Sequence, residues 1–347
     1  MEKVKVSIIT TIYKAEKDLP RLLDSMMAVK NENIEFFLID NGSPDGCYQI
    51  CQEYAKKDSR FTVYKIEENI GYIRARNVGI EECNGNYVGF CDSDDFLCDD
   101  GYDKAIQKIE ESNCDFYIGA YNLLDGDKTT LNLPPFGEGI YNKERIKEIS
   151  PLFFGFYNGK ARLNGFVWKN IYRKEILLKN NVRFIEKLKP YEDQIFNVDV
   201  MQNSSIITVG YEILYNYVVN SESITAKLYS SFSLKEEYER DINLYNEYEK
   251  RTVLPSEREA MCNYFLFSLY VLLLNCAKGK EKVKFYKKEL KETVDKNFIK
   301  EIVKNSSKKQ GKVLKLLRFC LKKRKVGLFL WIVRFAIKVR GAHGNKR

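Results

Sequence analysis

The sequence predicts an α/β fold followed by a helical extension, and two observations carry this prediction. Short apolar runs rich in Val, Ile, Phe and Tyr recur along residues 4–122, and segments with apolar residues three or four apart separate them. Such alternation favours a parallel sheet with right-handed crossovers. From about residue 232 onwards the spacing is helical. We therefore expect a sheet domain first and helices after it.

The first half of the predicted sheet consists of two strand–helix units. Residues 4–13 are a buried-looking apolar run, and residues 17–29 carry apolar side chains on one helical face. A second strand at 34–40 stops at the segment NGSPDG, whose composition favours a turn. A helix is then predicted over 45–57. The apolar face of the first helix consists of Leu19, Leu22, Leu23 and Met26.

The second half of the predicted sheet repeats this order. A strand at 61–66 precedes a helix that opens just after Gly71, and strands at 86–92 and 114–122 flank a further helix. Ligands of open α/β sheets bind beyond the carboxyl ends of the strands. Several polar residues stand at such ends, so we expect them to converge on one edge of the sheet. They are Thr11, Tyr13, Asp40, Asn41 and Asp92 to Asp95.

The charge of the chain is unevenly distributed. The 347 residues include 57 Lys/Arg and 48 Asp/Glu, for a formal net charge of +9. Residues 308–347 contain 14 of the basic residues and no acid, which leaves the rest of the chain at a net charge of −5. A basic segment of this kind attracts a polyanion, either a membrane surface or a nucleic acid.

The histidine and cysteine content excludes several kinds of site. The single histidine, His343, stands near the end of the sequence, so catalysis or metal binding by histidine is not expected. Nine cysteines are scattered without paired metal-binding spacing. The first strand begins almost at once, with no apolar signal segment before it. We therefore expect reduced cysteines and a cytoplasmic protein.

Three carboxylates crowd into four positions at the end of the fourth strand, at Asp92, Asp94 and Asp95. Carboxylates this close repel one another, so a positive group is expected among them. The alternative is an acidic start to the next helix, which would explain Asp95 or Asp99 but poorly explains Asp92 at a buried strand end.

Five short motifs stand in order along the chain: VSIITTIYK, FLIDNGSPDG, ENIGYIRARNVGI, GNYVGFCDSDDF and YEDQIF. Their order and spacing resemble those of the family 2 glycosyltransferases, above all the enzymes that build bacterial capsules, lipopolysaccharides and teichoic acids. The resemblance covers roughly residues 4–225. It implies the GT-A fold of nucleotide-diphospho-sugar transferases, with a Rossmann-like mixed sheet.

The resemblance implies that the ends of the first two strands bind the donor nucleotide. Thr11 and Tyr13 occupy positions that line the nucleobase site, where an aromatic ring can stack on a base. The DDGS pattern common in relatives is here Asp40-Asn41-Gly42-Ser43, so Asn41 replaces the second acid, and its amide could accept the uracil imide N–H or donate instead. The implied donor is a UDP-sugar, with thymine left open. The alternatives are a core aromatic at Tyr13 and a turn residue at Asn41.

The resemblance also assigns roles to the acids and to an arginine. Asp94 would hold Mn²⁺ or Mg²⁺ against the diphosphate, and Asp92 would contact the ribose, while a ligand role for Asp95 stays open. Arg76 fills the arginine position of the motif ARN and would face the diphosphate or the base, because Arg matches planar oxygen groups. The alternative for Arg76 is a surface ion pair on a solvated helix face.

The motif YEDQIF supplies the expected catalytic base. Transfer with inversion needs a carboxylate that takes the proton of the acceptor hydroxyl as it attacks C1, through an oxocarbenium-like transition state. By the resemblance Asp193 is this base, and Glu192 supports the acceptor hydroxyl. Trp168 would floor the sugar site. The alternatives are simple helix-start acids for Glu192 and Asp193, and a core position for Trp168.

The basic C-terminal segment is predicted to lie on an anionic membrane surface. Residues 326–339 are apolar but interrupted and too short to span a bilayer, so an in-plane helix anchored by Trp331 fits them. The rival is a helix packed on the protein with a basic edge for nucleic acid. The expected lipid-linked acceptor favours the membrane, so no nucleic-acid partner is expected. In the preceding helix, Lys315, Arg318, Lys322 and Lys325 are predicted to lie opposite Val313, Leu317 and Leu321.

The sequence thus predicts a GT-A domain over 1–228, a helical extension over 229–307 and a membrane-associating tail over 308–347. The apolar run within 256–279 is interrupted, so a packed helix is expected there. The predicted activity is transfer of a hexose or N-acetylhexosamine from a nucleotide diphosphate to a growing, lipid-linked bacterial glycan at the inner face of the cell membrane.

Two other function classes stay open. One is a catalytically silent scaffold of a glycan-assembly complex, against which the intact Asp94 and Asp193 argue. The other is a nucleotidyltransferase with a related sheet. That class would require a glycine-rich phosphate loop after the first strand, and the segment TTIYKAEKD contains no glycine.

Overall fold

The computed structural model describes residues 3–98, 100–220, 234–278, 296–309, 311–323 and 325–344. The chain divides into two compact units. The sheet unit comprises Met1–Phe153 and Leu163–Ser221, and the helical unit comprises Phe154–Arg162 and Glu222–Arg347. The predicted boundary at 228 falls outside the described residues, and the boundary at 307 stays a prediction.

Four parallel strands form the part of the sheet that the sequence predicts best. They are β1 (Val6–Ile12), β2 (Ile34–Asn41), β3 (Phe61–Ile66) and β4 (Tyr87–Asp92), in the spatial order β3-β2-β1-β4. Every residue of β2 is buried, as expected for an inner strand of a parallel sheet. The four predicted strands are confirmed.

Helices follow these strands within a few residues of the predicted positions. They are α1 (Leu19–Ala28), α2 (Cys47–Lys57), α3 (Tyr72–Glu82) and α4 (Gly101–Ser112). The four apolar residues predicted for one face of α1 are all buried. Gly71 precedes α3 with φ +84°, a left-handed conformation that glycine adopts without strain.

The second half of the sheet departs from the strand–helix alternation. The fifth predicted strand, β6 (Phe116–Asp125), does not pair with β4, because the short antiparallel strand β9 (Asn170–Arg173) lies between them. β10 (Ile206–Val218) runs parallel to β6. The sheet is therefore mixed, as the GT-A resemblance implies. Its other strands are β5 (Phe96–Leu97), β7 (Lys128–Asn132) and β8 (Gly139–Asn142), and the remaining helices of this part of the chain are α5 (Lys143–Ile149), α6 (Pro151–Phe154), α7 (Lys174–Lys179) and α8 (Glu192–Asn203).

The helical unit contains five further described helices: α9 (Leu234–Arg251), α10 (Pro255–Lys278), α11 (Lys296–Asn305), α12 (Lys312–Lys322) and α13 (Val326–Gly344). α10 is the predicted packed helix, and it buries Phe265, Leu266 and Leu273. Within the described residues, every helix is too short or too polar to span a membrane.

The predicted amphipathic face of α12 is only partly right. Leu317 and Leu321 are buried, but Val313, at the start of the helix, is exposed. Arg318 donates hydrogen bonds to the carbonyl oxygens of Ser306 and Ser307, at 2.8 and 3.0 Å. Arg318 is therefore part of the packing of α12 and not a free surface charge.

α13 divides its apolar residues between two environments. Phe329 and Leu330 are buried, and the ring of Phe329 lies edge-on to Tyr270 of α10. Trp331 and Phe335 are 61% and 59% exposed, and their rings stack with centroids 5.9 Å apart. One face of α13 thus packs within the helical unit, and another presents two large aromatic rings to solvent.

Candidate active site

The polar strand ends meet at one edge of the sheet, as the sequence predicts. The parallel register places Thr11 of β1 beside Asp92 of β4, and Ile12 beside Asp40 of β2. Because β1 lies between β2 and β4, the residues predicted for the nucleobase and the acid cluster occupy neighbouring positions along this edge. The structure therefore provides a polar edge at the place where α/β sheets bind ligands.

A buried arginine joins the acid cluster to the predicted base. Arg76 on α3 is only 6% exposed, and its guanidinium lies 2.5 Å from Asp92 Oδ1 and 3.0 Å from Asp193 Oδ1. The rings of Tyr72 and Phe184 flank the guanidinium at 5.2 and 5.4 Å. For Asp92, the positive group expected among the crowded acids is thus the guanidinium of Arg76.

This geometry excludes one reading of Arg76. It does not form a surface ion pair on a solvated helix face, because its side chain is buried. Its guanidinium is bound to two carboxylates, and its contact with a donor stays a prediction. The exposed arginine of the motif is Arg74, which pairs with Glu186 at 2.8 Å. Arg76 thus joins Asp92 to Asp193.

Asp193 lies in the first turn of α8 and keeps part of its carboxylate exposed. The backbone N–H of Val167 also donates to this carboxylate. Burial raises the pKa of Asp193 to about 7, because loss of hydration outweighs the opposing attraction of Arg76. A carboxylate with a pKa near neutrality suits a general base, because it can both accept and release a proton there.

Glu192 adds an unused acceptor beside the base. Its Oε1 accepts a hydrogen bond of 2.5 Å from the hydroxyl of Tyr72. Its Oε2 is buried and has no hydrogen-bond partner in the structure. A buried carboxylate oxygen without a hydrogen-bond partner is suited to accept a hydrogen bond from a ligand hydroxyl.

Asp95 is held by the fold. Its carboxylate accepts hydrogen bonds from the hydroxyl of Tyr215 at 2.8 Å and from the backbone N–H of Val218 at 2.7 Å, both on β10. The Tyr215 hydroxyl in turn accepts the backbone N–H of Asp92 at 3.0 Å. Burial raises the pKa of Asp95 to about 8. This carboxylate ties residues 92–95, which we call the acid loop, to β10, and this favours a structural role for Asp95 over a metal-binding one.

Among the described residues, Asp94 is the acid of the cluster whose carboxylate forms no hydrogen bond with another side chain. Arg21 contacts its backbone carbonyl, at 2.6 Å, and not its carboxylate. Burial, and secondarily the charge of Asp92, raise the pKa of Asp94. Among the described residues, no group of three acidic, cysteine or histidine side chains is arranged to hold a metal.

At the nucleobase end, Tyr13 and Asp40 remain able to contact a ligand. The Tyr13 ring is 41% exposed, which rules out a core position for it. Asp40 is buried, its Oδ1 has no partner, and burial raises its pKa. Asn41 differs from the prediction, because its Oδ1 already accepts the N–H of Ile70 at 3.1 Å and its Nδ2 donates to Asn69 at 3.3 Å. Its amide holds the loop before α3, which favours the structural alternative.

Trp168 is a core residue and not an open floor for a sugar. It is 3% exposed and stacks on Tyr215 with ring centroids 4.2 Å apart. Two further residues of the site, Tyr72 and Tyr215, were not predicted from the sequence. Tyr72 is one helical turn before Arg76, a spacing that the sequence shows. Tyr215 has no such signal, since its partners Asp95 and Trp168 are distant in the chain.

Comparison with known proteins gives a consistent result. Residues 7–164 match the model described as Glycosyl transferase family 2. The chain is 26% identical over 340 residues to the Bacillus subtilis protein named uncharacterized glycosyltransferase EpsJ, over 96% of this chain and 94% of that protein. It is 35% identical over 130 residues to the putative teichuronic acid biosynthesis glycosyltransferase TuaG of B. subtilis, over 38% of this chain and 52% of that protein. Among solved structures, S. aureus TarS in complex with UDP-GlcNAc superposes with a TM-score of 0.71 at 19% identity, over 96% of this chain and 91% of that one.

Proposed function

We propose that the protein is an inverting family 2 glycosyltransferase that transfers a hexose or N-acetylhexosamine from a UDP-sugar to a growing, lipid-linked bacterial glycan, and the match of residues 7–164 to the model of that family supports this. The observation that carries the proposal is the placement of Asp193. It is partly exposed, lies beside the unpartnered Oε2 of Glu192, and is joined through Arg76 to the acid loop at the sheet edge.

The proposed reaction is a single displacement at C1 of the donor sugar. Glu192 accepts a hydrogen bond from an acceptor hydroxyl, and Asp193 takes the proton of the attacking hydroxyl. The new bond from acceptor oxygen to C1 forms as the bond from C1 to the diphosphate oxygen breaks, and the nucleoside diphosphate leaves. Because attack and departure occur on opposite faces of C1, the configuration inverts.

The proposed nucleotide site lies at the ends of β1 and β2. Tyr13 offers an exposed ring for stacking on the base, and Thr11 lies beside it at the strand end. The free Oδ1 of Asp40 is an acceptor for an imide N–H, which uracil has. That TarS binds UDP-GlcNAc supports a uridine donor for this chain as well. Asp92 keeps one carboxylate oxygen outside its pair with Arg76, which leaves it able to contact the ribose.

A divalent cation, Mn²⁺ or Mg²⁺, fits at Asp94. The raised pKa of this carboxyl reflects burial near Asp92, and a bound cation would offset both effects. Such ions take one or two protein carboxylates when nucleotide phosphates and waters supply the other ligands. When bound, the cation would neutralise charge that develops on the leaving diphosphate.

We further propose that the protein reaches its lipid-linked acceptor by lying on the cytoplasmic face of the cell membrane. The exposed rings of Trp331 and Phe335 on α13 are a pair of the kind that inserts into a membrane interface. The same tail contains basic residues and no acidic residue, so it would attract anionic lipid.

The test of the activity is release of nucleoside diphosphate by the full-length protein from a panel of UDP-, TDP- and GDP-sugars, with Mn²⁺, with Mg²⁺ and with EDTA. We expect metal-dependent release from a UDP-sugar, stimulated by a lipid-linked sugar acceptor. Binding of UDP without turnover of any sugar nucleotide would favour the silent scaffold. Formation of a sugar nucleotide with release of pyrophosphate would favour the nucleotidyltransferase.

A further inference from the structure

A stack of aromatic rings stands beside the proposed base and acid loop. Trp168 is its buried centre, with Tyr215 on one side at 4.2 Å. Phe166 stacks on Trp168 with centroids 4.8 Å apart and ring planes 12° apart, and Tyr217 lies at 5.6 Å and 8°. Phe166 is 37% exposed and Tyr217 is partly exposed. We call Phe166 and Tyr217 the aromatic shelf.

The Phe166 side of the shelf is built onto the first turn of α8. The N–H of Val167, the next residue, donates to the carboxylate of Asp193. Gly165, the preceding residue, lies so close to α8 that a Cβ there would come within 2.1 Å of Gln194 Nε2. The backbone on both sides of Phe166 is therefore held against the helix that carries the base.

The Tyr217 side of the shelf is tied to the acid loop. Tyr217 belongs to β10, whose Tyr215 and Val218 both donate hydrogen bonds to Asp95. Burial, and secondarily the charges of the acid loop, raise the pKa of Tyr217. The shelf thus has the proposed base on one side and the proposed diphosphate-binding acids on the other.

We propose that the aromatic shelf binds the pyranose ring of the acceptor, with the apolar C–H face of the sugar on the rings. The order of strands separates the two substrates. The proposed nucleobase residues lie at the ends of β1 and β2, the acids lie at the end of β4, and Tyr217 is on β10, on the other side of β4 in the sheet. A sugar on the shelf therefore lies on the side of the acids away from the nucleobase, next to Asp193, which acts on the acceptor hydroxyl. This inference rests on the proposed function.

The experiment uses octyl β-glucoside and octyl N-acetyl-β-glucosaminide as acceptor probes and measures UDP release with and without them. We expect F166A and Y217A to lower kcat/KM for the preferred glycoside about tenfold or more, equivalent to about 1.4 kcal/mol of transition-state stabilisation. Release without acceptor should not change. F166Y, which keeps the ring, should retain activity, and F166L, which keeps only apolar area, should not. Y211A is the matched control, because Tyr211 is an exposed aromatic residue on the same strand, β10.

A second measurement needs no turnover. The chain has two tryptophans, so W331F leaves Trp168 as the only fluorophore of this type. Glycoside titration should change its emission in W331F and leave it unchanged in W331F/F166A. Equal loss of acceptor-free release and acceptor-stimulated release in F166A would overturn the proposal in favour of the donor sugar. Failure of every glycoside to bind, in a protein that does release UDP, would also overturn it. Absence of any UDP release would instead refute the proposed function.

Discussion

Arg76 and Asp193 form an ion pair of 3.0 Å although they stand 117 positions apart in the chain. The pair connects α3 to the first turn of α8, and the second nitrogen of the same guanidinium reaches the acid loop. Arginine in this position can hold the carboxylate in one orientation through a planar, directional contact. It also favours the ionised form of a carboxylate that burial otherwise pushes towards protonation.

Replacing Arg76 by Met should shift the pH dependence of transfer. Asp193 must be deprotonated to act, so activity should rise with pH through about 7 in the native protein. Without the guanidinium the pKa of Asp193 should rise further. The pH at which activity increases should therefore also be higher. R76M should therefore lose activity at pH 7 and recover part of it above pH 8. R74M, on the same helix but at an exposed pair, is the control. If the pH dependence of R76M were unchanged and its activity were lower by the same factor at every pH, Arg76 would contribute to folding alone.

Asp193→Asn should remove transfer but keep donor binding, because the base acts on the acceptor. The expected loss is about a hundredfold or more, the usual scale for general-base catalysis. Calorimetry with UDP should show near-native affinity. D103N tests the alternative of simple helix-start charge, since Asp103 lies in the first turn of α4. Equal losses in D193N and D103N, or collapse of UDP binding in D193N, would contradict the assignment.

Asp94→Asn should abolish metal-dependent turnover and leave the fold intact, because a neutral amide cannot replace the anionic ligand. Activity across Mn²⁺ concentrations and Mn²⁺ binding in the presence of UDP are the two measurements. D95N should behave differently, since Asp95 is bound to Tyr215 and Val218. We expect D95N to lower the melting temperature and keep the metal response. Native-like turnover in D94N would refute the metal assignment.

Tyr13→Ala should weaken UDP binding about tenfold, within the range of about 1–3 kcal/mol for base stacking on an aromatic ring. Y13F should bind as the native protein does, because the ring face remains. Asn41→Asp should leave the choice of base unchanged, since the Asn41 amide is occupied by Asn69 and Ile70. If N41D switched the enzyme between uridine and thymidine donors, this result would support the predicted contact between Asn41 and the base.

Trp331→Glu and Phe335→Glu should reduce binding to anionic vesicles. Both side chains are exposed, so the fold should survive, whereas deleting 308–347 would remove buried Leu317 and Phe329 as well. Co-sedimentation with anionic and neutral vesicles measures the effect, and added salt should weaken the electrostatic part. V253E, at another exposed apolar position of the helical unit, is the control. Equal sedimentation of all variants would contradict membrane attachment through α13.

Local patterns in the sequence determined the strands β1 to β4, the helices α1 to α4 and the meeting of their polar ends. These predictions succeeded because burial of an apolar run or face, and the turns that end it, depend on residues a few positions apart. The same holds for the packed helix α10. The motifs located the residues of the sheet edge and of α8, but they could not show which of those residues already had partners.

Tertiary structure alone decided those partners. β9, one of the antiparallel strands that make the sheet mixed, is only four residues long, too short for its own spacing to predict it, and it pairs with β4 and β6. The binding of Arg76 between two acids, the use of Asn41 to hold a loop, and the burial of Trp168 all depend on contacts between residues far apart in sequence. Only a side chain that such contacts leave accessible can bind a ligand. The motifs therefore identified Asp94 and Asp193, whereas the aromatic shelf beside them could be identified only from the tertiary structure.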